Sequence, residues 1–382
     1  MTDLSGTCDP AFTAVRDAFA QNFADGLELG AALSISVGGR NVVDLWGGHL
    51  DAARTREWDR DAVVCVFSCT KGLVAIATMW AVARGLVDLD APVARYWPEF
   101  GQQGKGDIPV RWLLTHEAGL PAIGSRMPHG SLSDWDAMTT ALAAQEPWWE
   151  PGTAHGYHGV TFGHLIGEVL RRATGRDCGE LIGTELADPL GIELYMPLPE
   201  AVDARTADLV VDMSRDGTFF DRWDPKTSLG PRAFGNPPDC NDPAHCMTDT
   251  FRRAVIPSAN LHTDARGLDR CYTVLACRGA TPELQLAPAA IVDEFGRCQV
   301  RGDDRVMELP TAFALGFEHT IPEWRFGPGP RTYGHNGSGG SLGIVDPDAG
   351  VSLGYVMNRL WWGPDRTDPR WPSIFDALYE SL

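Results

Sequence analysis

Val63-Val64-Cys65-Val66-Phe67-Ser68-Cys69-Thr70-Lys71-Gly72-Leu73-Val74-Ala75-Ile76-Ala77-Thr78-Met79-Trp80 passes from a short apolar run into a segment with almost no polar face. Leu73, Val74, Ile76, Ala77, Met79, Trp80, Val82 and Ala83 predict a deeply buried helix, which Gly85 stops. Ser68 and Lys71 open it. Three residues apart at a helix start, their side chains project on the same side. A serine hydroxyl is a poor nucleophile until a base takes its proton, and a buried lysine with a lowered pKa is such a base. The helix N-terminus adds partial positive charge and free N–H groups suited to an oxyanion. Ser-x-x-Lys alone arises by chance in many chains; its place at the head of the most apolar helix gives it weight.

Outward from this stretch, residues 10–25 read as an amphipathic helix. Residues 33–37 and 42–46 alternate around Gly38-Gly39 as a β-hairpin. Helices are predicted near 135–145, 160–174 and 264–278. Strand-like runs return at 313–318, 341–345 and 351–357, the last two joined by the turn Asp346-Pro347-Asp348-Ala349-Gly350, and a closing helix covers 371–381. The segment 212–250, rich in Gly, Pro, Asp and aromatics, reads as long loops lining a cleft. The expected fold is α/β: an antiparallel sheet flanked by helices and formed from both termini, residues 1–70 and 305–382. A mainly helical domain, 71–304, is inserted between them.

Two further motifs bear on chemistry. Tyr157-His158-Gly159 follows Trp148-Trp149-Glu150-Pro151-Gly152-Thr153, and a tyrosine phenol can shuttle protons between nucleophile and leaving group. By itself, a core or interface tyrosine hydrogen-bonded at its hydroxyl explains it better. Gly334-His335-Asn336-Gly337-Ser338-Gly339-Gly340 leads into a strand with a backbone that something must approach closely, or forms an exposed turn.

These motifs, in this order, resemble those of the class C β-lactamase-related serine hydrolases, the grouping that includes the family VIII carboxylesterases, of penicillin-binding-protein-like fold. The segments Leu113-Leu114-Thr115-His116-Glu117-Ala118-Gly119-Leu120-Pro121, Leu86–Val93, Glu150-Pro151-Gly152-Thr153 and Pro189-Leu190-Gly191 extend the similarity over about residues 30 to 360. The resemblance implies Ser68 as acylated nucleophile, with Lys71 and Tyr157 as its catalytic partners. It also implies an oxyanion hole from the Ser68 and Ser338 N–H groups. His335, Asn336 and Gly337 are expected to bind substrate, and Trp148, Trp149 and Trp223 to form an aromatic pocket, with Phe219, Phe220, Trp361 and Trp362 as further candidates. Gly159 stands where many relatives carry Asn, and His335 where β-lactamases carry Lys. Both departures favour an esterase over a β-lactamase. His116 reads as a structural histidine near the cleft.

Gly339-Gly340-Ser341-Leu342-Gly343 satisfies the Gly-x-Ser-x-Gly elbow of α/β-hydrolases. That fold needs an acid and then a histidine downstream, and no histidine follows Ser341. A net charge of −19 opposes nucleic acid and anionic membranes as partners. No apolar stretch of membrane length occurs and the start lacks a signal-peptide pattern, which predicts a cytoplasmic protein. Nine cysteines without repeating spacing read as reduced thiols, and Cys240, His245 and Cys246 lack the ligands to complete a metal site. No metal and no cofactor is therefore expected. The expected partner is a small-molecule ester or acyl donor; a homo-oligomer stays open. The expected activity is that of a serine carboxylesterase acting through an acyl-enzyme. Acyl transfer on the same machinery comes next, then β-lactamase or D-amino-acid peptidase activity, and last a non-catalytic scaffold.

Overall fold

The computed structural model describes residues 3–211, 218–242, 244–363 and 367–382. Of the expected cleft segment, 212–217 and 243 lie outside the described residues, as does the side chain of Phe219. Nine strands form one antiparallel sheet: β1 (Ser5–Cys8), β2 (Gly30–Val37), β3 (Arg40–Gly48), β4 (Val300–Asp303), β5 (Pro310–Phe313), β6 (Glu318–His319), β7 (Tyr333–Asn336), β8 (Leu342–Asp346) and β9 (Val351–Met357). Their spatial order is β1-β3-β2-β9-β8-β7-β6-β5-β4. The chain's two ends meet where β2 pairs with β9, Leu33 opposite Tyr355 and Ile35 opposite Leu353. The apolar run at 313–318 is not one strand: β5 and β6 flank a turn at Ala314–Phe317, with Gly316 at φ +81°.

Helices cover both faces. Helices α1 (Thr13–Ala24) and α5 (Pro372–Glu380) pack together on one, where Phe19 meets Tyr355 edge-on at 6.1 Å. On the other, α4 (Ala265–Ala276) lies against β2, β8 and β9. Close approach is built in: a Cβ on Gly354 would fall 2.1 Å from Ala265 O. The buried Asp269 carboxylate fastens the helix by accepting from the Ser34, Ser36 and Ser352 hydroxyls at 2.6–2.8 Å. Helix α4 and strand β4 thus belong to the sheet layer, although both fall within the stretch 71–304 that was expected to form the helical insertion.

Helix α2 (Cys69–Ala83) runs beneath the β7 end of the sheet and also packs on α3 (Phe162–Thr174). Its residues from Cys69 to Ala81 are all buried, as its sequence predicts. Each of its large apolar side chains contributes roughly 1.5–3 kcal/mol by leaving water. Val64–Cys65, just before it, pairs with His262–Thr263, which also pairs with Leu194–Tyr195 in a small second sheet. Among the described residues no helix is long and apolar enough to cross a membrane.

Candidate active site

Phe67, at φ +44°, turns the chain sharply between Val64–Cys65 and α2. A non-glycine residue in this region is uncommon and costs of order 1–3 kcal/mol. The turn leaves Ser68 at the N-cap of α2 with its side chain making no cap bond, so the hydroxyl faces the cleft. Lys71, one turn on, brings Nζ to 2.9 Å from Ser68 Oγ and donates to Ser258 O at 2.8 Å. Burial pulls the Lys71 ammonium down to about 7; the Glu318 carboxylate opposes this. A lysine titrating there is partly a free base at neutral pH.

Tyr157 reaches the same oxygen from the other side, its OH donating to Ser68 Oγ at 3.0 Å. Its backbone N–H is received by the buried Asp304 carboxylate at 3.0 and 3.1 Å. The same carboxylate accepts from the N–H groups of Val306 and Met307 at 2.8 Å. The phenol ring stacks on Phe313 at 6.1 Å and meets His116 at 5.1 Å. His116 Nδ1 accepts from His158 N–H at 3.1 Å, and His158 Nε2 accepts from Leu120 N–H at 2.9 Å. Burial drives both imidazoles well below their ordinary value, His158 to about 3, so both are neutral and act as fixed acceptors.

The third side of the site is the loop after β7. Gly337 N–H donates to Ser341 O at 2.7 Å and Gly340 N–H to Gly337 O at 3.1 Å, folding residues 337–341 into a tight turn. A Cβ on Gly337 would fall 2.2 Å from Val66 O, so glycine lets this loop lie directly beside the strand that leads to Ser68. Neither the Ser68 nor the Ser338 N–H has a backbone acceptor among the described residues.

Two cavity lobes meet at Ser68, sharing Phe220, Phe234, Ser338 and Trp362. The smaller, about 150 Å³, lies over Asn336, Gly337 and the glycine loop. The larger, about 810 Å³, is walled by apolar groups including Phe67, Leu132, Val160, Trp223 and Phe251. Trp223 is thus on the wall, stacked on Phe234 at 5.5 Å. Trp148 and Trp149 line neither lobe. Trp149 is buried against Ala122, Ala233 and Val306, and Trp148 lies under the Arg232 guanidinium at 3.9 Å. His335 is 1% exposed and also off the wall: its Nδ1 donates to Asn336 O at 2.8 Å, with Glu318 Oε2 at 4.0 Å. Its side chain supports the loop instead of facing a ligand. Ser341 Oγ is buried and has no hydrogen-bond partner among the described residues. Ser258, Asp304, Glu318 and Phe234 were not anticipated. Each is brought in by a long-range contact, and none stands in a sequence pattern that marks it.

A family model described as Beta-lactamase matches residues 17–376. The esterase/beta-lactamase LipL of Mycobacterium tuberculosis is 35% identical over 365 residues, covering 93% of this chain and 83% of that protein. The crystal structure of a family VIII carboxylesterase superposes with a TM-score of 0.90 at 36% identity, and a penicillin-binding protein homologue from Caulobacter crescentus with 0.92 at 36%. Both cover the whole of each chain. With its family model spanning nearly the full length, the chain belongs to the Beta-lactamase family.

Proposed function

We propose that this serine hydrolase cleaves small carboxylic esters through an acyl-enzyme on Ser68. The observation that carries the reading is the convergence of Lys71 Nζ and Tyr157 OH on Ser68 Oγ, at 2.9 and 3.0 Å. Neutral Lys71 takes the hydroxyl proton as Oγ attacks the ester carbonyl. Tyr157, bonded to the same oxygen, relays a proton to the departing alkoxide. The Ser68 and Ser338 N–H groups receive the carbonyl oxygen as it becomes anionic. Water then repeats the sequence on the acyl-enzyme, with Lys71 and Tyr157 again moving the proton. The unequal lobes fit an ester with one short arm and one bulky apolar arm. Similarity to proteins named as an esterase/beta-lactamase and a family VIII carboxylesterase supports the reaction class.

The test is covalent trapping. With a neutral aryl ester, Ser68→Ala abolishes turnover, and intact-mass analysis of the wild type shows one acyl adduct that maps to Ser68. Ser341→Ala keeps the chemistry. An adduct on Ser341, or full activity in Ser68→Ala, overturns the reading.

A further inference from the structure

The loop that carries Ser338 is held from behind by one buried cation. Arg370, Asp368 and Glu28 are 1%, 2% and 4% exposed. Arg370 Nε donates to Asp368 Oδ1 at 2.8 Å and Nη1 to Glu28 Oε2 at 3.3 Å. The guanidinium has donors to spare. Nη1 also donates to Arg359 O at 2.9 Å, and Nη2 donates to Gly339 O. Beside it, Trp371 Nε1 donates to Gly340 O at 3.1 Å. This approach requires glycine: at Gly340, φ +124°, a Cβ would fall 1.9 Å from Arg370 Nη2.

The bonds form a line. Gly339 C=O and Gly340 N–H are the two ends of one peptide unit, and Gly340 N–H donates to Gly337 O at 3.1 Å. Gly337 C=O shares the next peptide unit with Ser338 N–H. A donor whose own carbonyl accepts a hydrogen bond is a stronger donor, by about 10–30% per bond. A charged donor at the head of the line strengthens the first bond further. Asp368 offsets much of the guanidinium's long-range field, so what reaches Ser338 is orientation and bond-by-bond polarisation.

We propose that Arg370, with Trp371 beside it, is a positioning residue for the reaction: through peptide units 339–340 and 337–338 it aims and polarises the Ser338 N–H at the developing oxyanion. The inference rests on the reading of Ser68 and Ser338 given above.

Arg370→Lys keeps a cation but loses the fork that serves Asp368 and Gly339 together. The measurements are kcat and KM on a neutral aryl ester, per site counted by the acylation burst, and the rate ratio between that ester and its thionoester. Sulfur accepts hydrogen bonds poorly, so the ratio reports on the oxyanion donors. The expected result is a loss of about 10- to 100-fold in kcat, KM within about twofold, and a ratio narrowed about tenfold. A merely structural Arg370 would lower the melting temperature and the fraction of competent sites, leaving kcat per site and the ratio unchanged; that result overturns the proposal. Should Arg370→Lys fail to fold, Trp371→Phe decides for the positioning, since it keeps an aromatic ring and removes the donor that holds Gly340 C=O beside the 339–340 peptide unit. A narrowed ratio there supports the positioning of the Ser338 N–H from this side, and an unchanged one refutes it. Activity surviving in Ser68→Ala would instead defeat the functional reading itself.

Discussion

Lys71 carries two conflicting demands. As a base it must be neutral near pH 7, and burial achieves this by making the ammonium costly. Lowering the ordinary value of 10.5 to about 7 means that the folded protein holds the charged form at a cost of about 5 kcal/mol. Between these two values the unfolded chain binds more protons at this residue than the folded one. Stability due to Lys71 is therefore complete above about 10.5 and is lost as pH falls to about 7. Two results follow for two measurements. Acylation, read as kcat/KM on a neutral ester, rises with pH through about 7 and then levels. Lys71→Met loses that activity, yet melts at a higher temperature than wild type at pH 6, the gap closing as pH rises toward 10. A wild type that stays the more stable at pH 6 would mean that the bonds to Ser68 Oγ and Ser258 O outweigh the desolvation.

At the scale of elements, the aromatic wall beside Tyr157 depends on the absence of a side chain at Gly159. A Cβ there would sit 2.6 Å from Phe234 Cε1, and the Phe234 ring in turn stacks on Trp223 and lies 6.2 Å from Tyr157. Gly159→Asn must displace that ring into the cavity. We expect kcat/KM on a bulky ester to fall, and Phe234→Ala to return part of the loss when combined with it. The coupling should be about 0.5–3 kcal/mol, as for residues in contact; strictly additive effects would show that the two positions do not share the space. The same contrast explains what was legible beforehand. Helix α2 and the first and last hairpins announce themselves through local periodicity; Ser68 and Lys71 stand out by their spacing at the head of that helix, whereas Tyr157 is marked only by the family resemblance. The turn between β5 and β6 did not announce itself, because its Ala314, Leu315 and Phe317 are buried and carry no polar turn signal. Trp148 and Trp149 beside the tyrosine motif looked like pocket residues, but chain proximity says nothing about which way a ring faces. Ser258 accepts from Lys71 across 187 residues of chain, and no local pattern encodes that contact.

Over the whole molecule, charge selects against anions twice. The chain carries −19, a long-range repulsion that salt screens within about 10 Å at 0.1 M. Locally, among the described residues no lysine or arginine lines either lobe, whereas Asp221, Asp242, Glu318 and Asp368 do. Lys71 lies beneath Ser68, committed to Oγ and Ser258 O, and the position that is lysine in β-lactamases is His335, buried and turned toward Asn336 O. A substrate carboxylate entering this cleft exchanges water for apolar walls, with no lysine or arginine among the described lining residues to meet it. Methyl 4-acetoxybenzoate should therefore be hydrolysed at least about tenfold better, in kcat/KM, than 4-acetoxybenzoate, a difference of about 1.4 kcal/mol. The two esters have nearly the same shape and differ in charge; dividing each kcat/KM by that ester's own rate with hydroxide removes the difference in leaving-group activation and leaves the electrostatic part. Raising salt from 0.01 to 0.5 M should recover the long-range part of the difference and leave the local part. Equal kcat/KM for the two esters at low salt would refute this account of selectivity and point to a cation among residues outside the two walls.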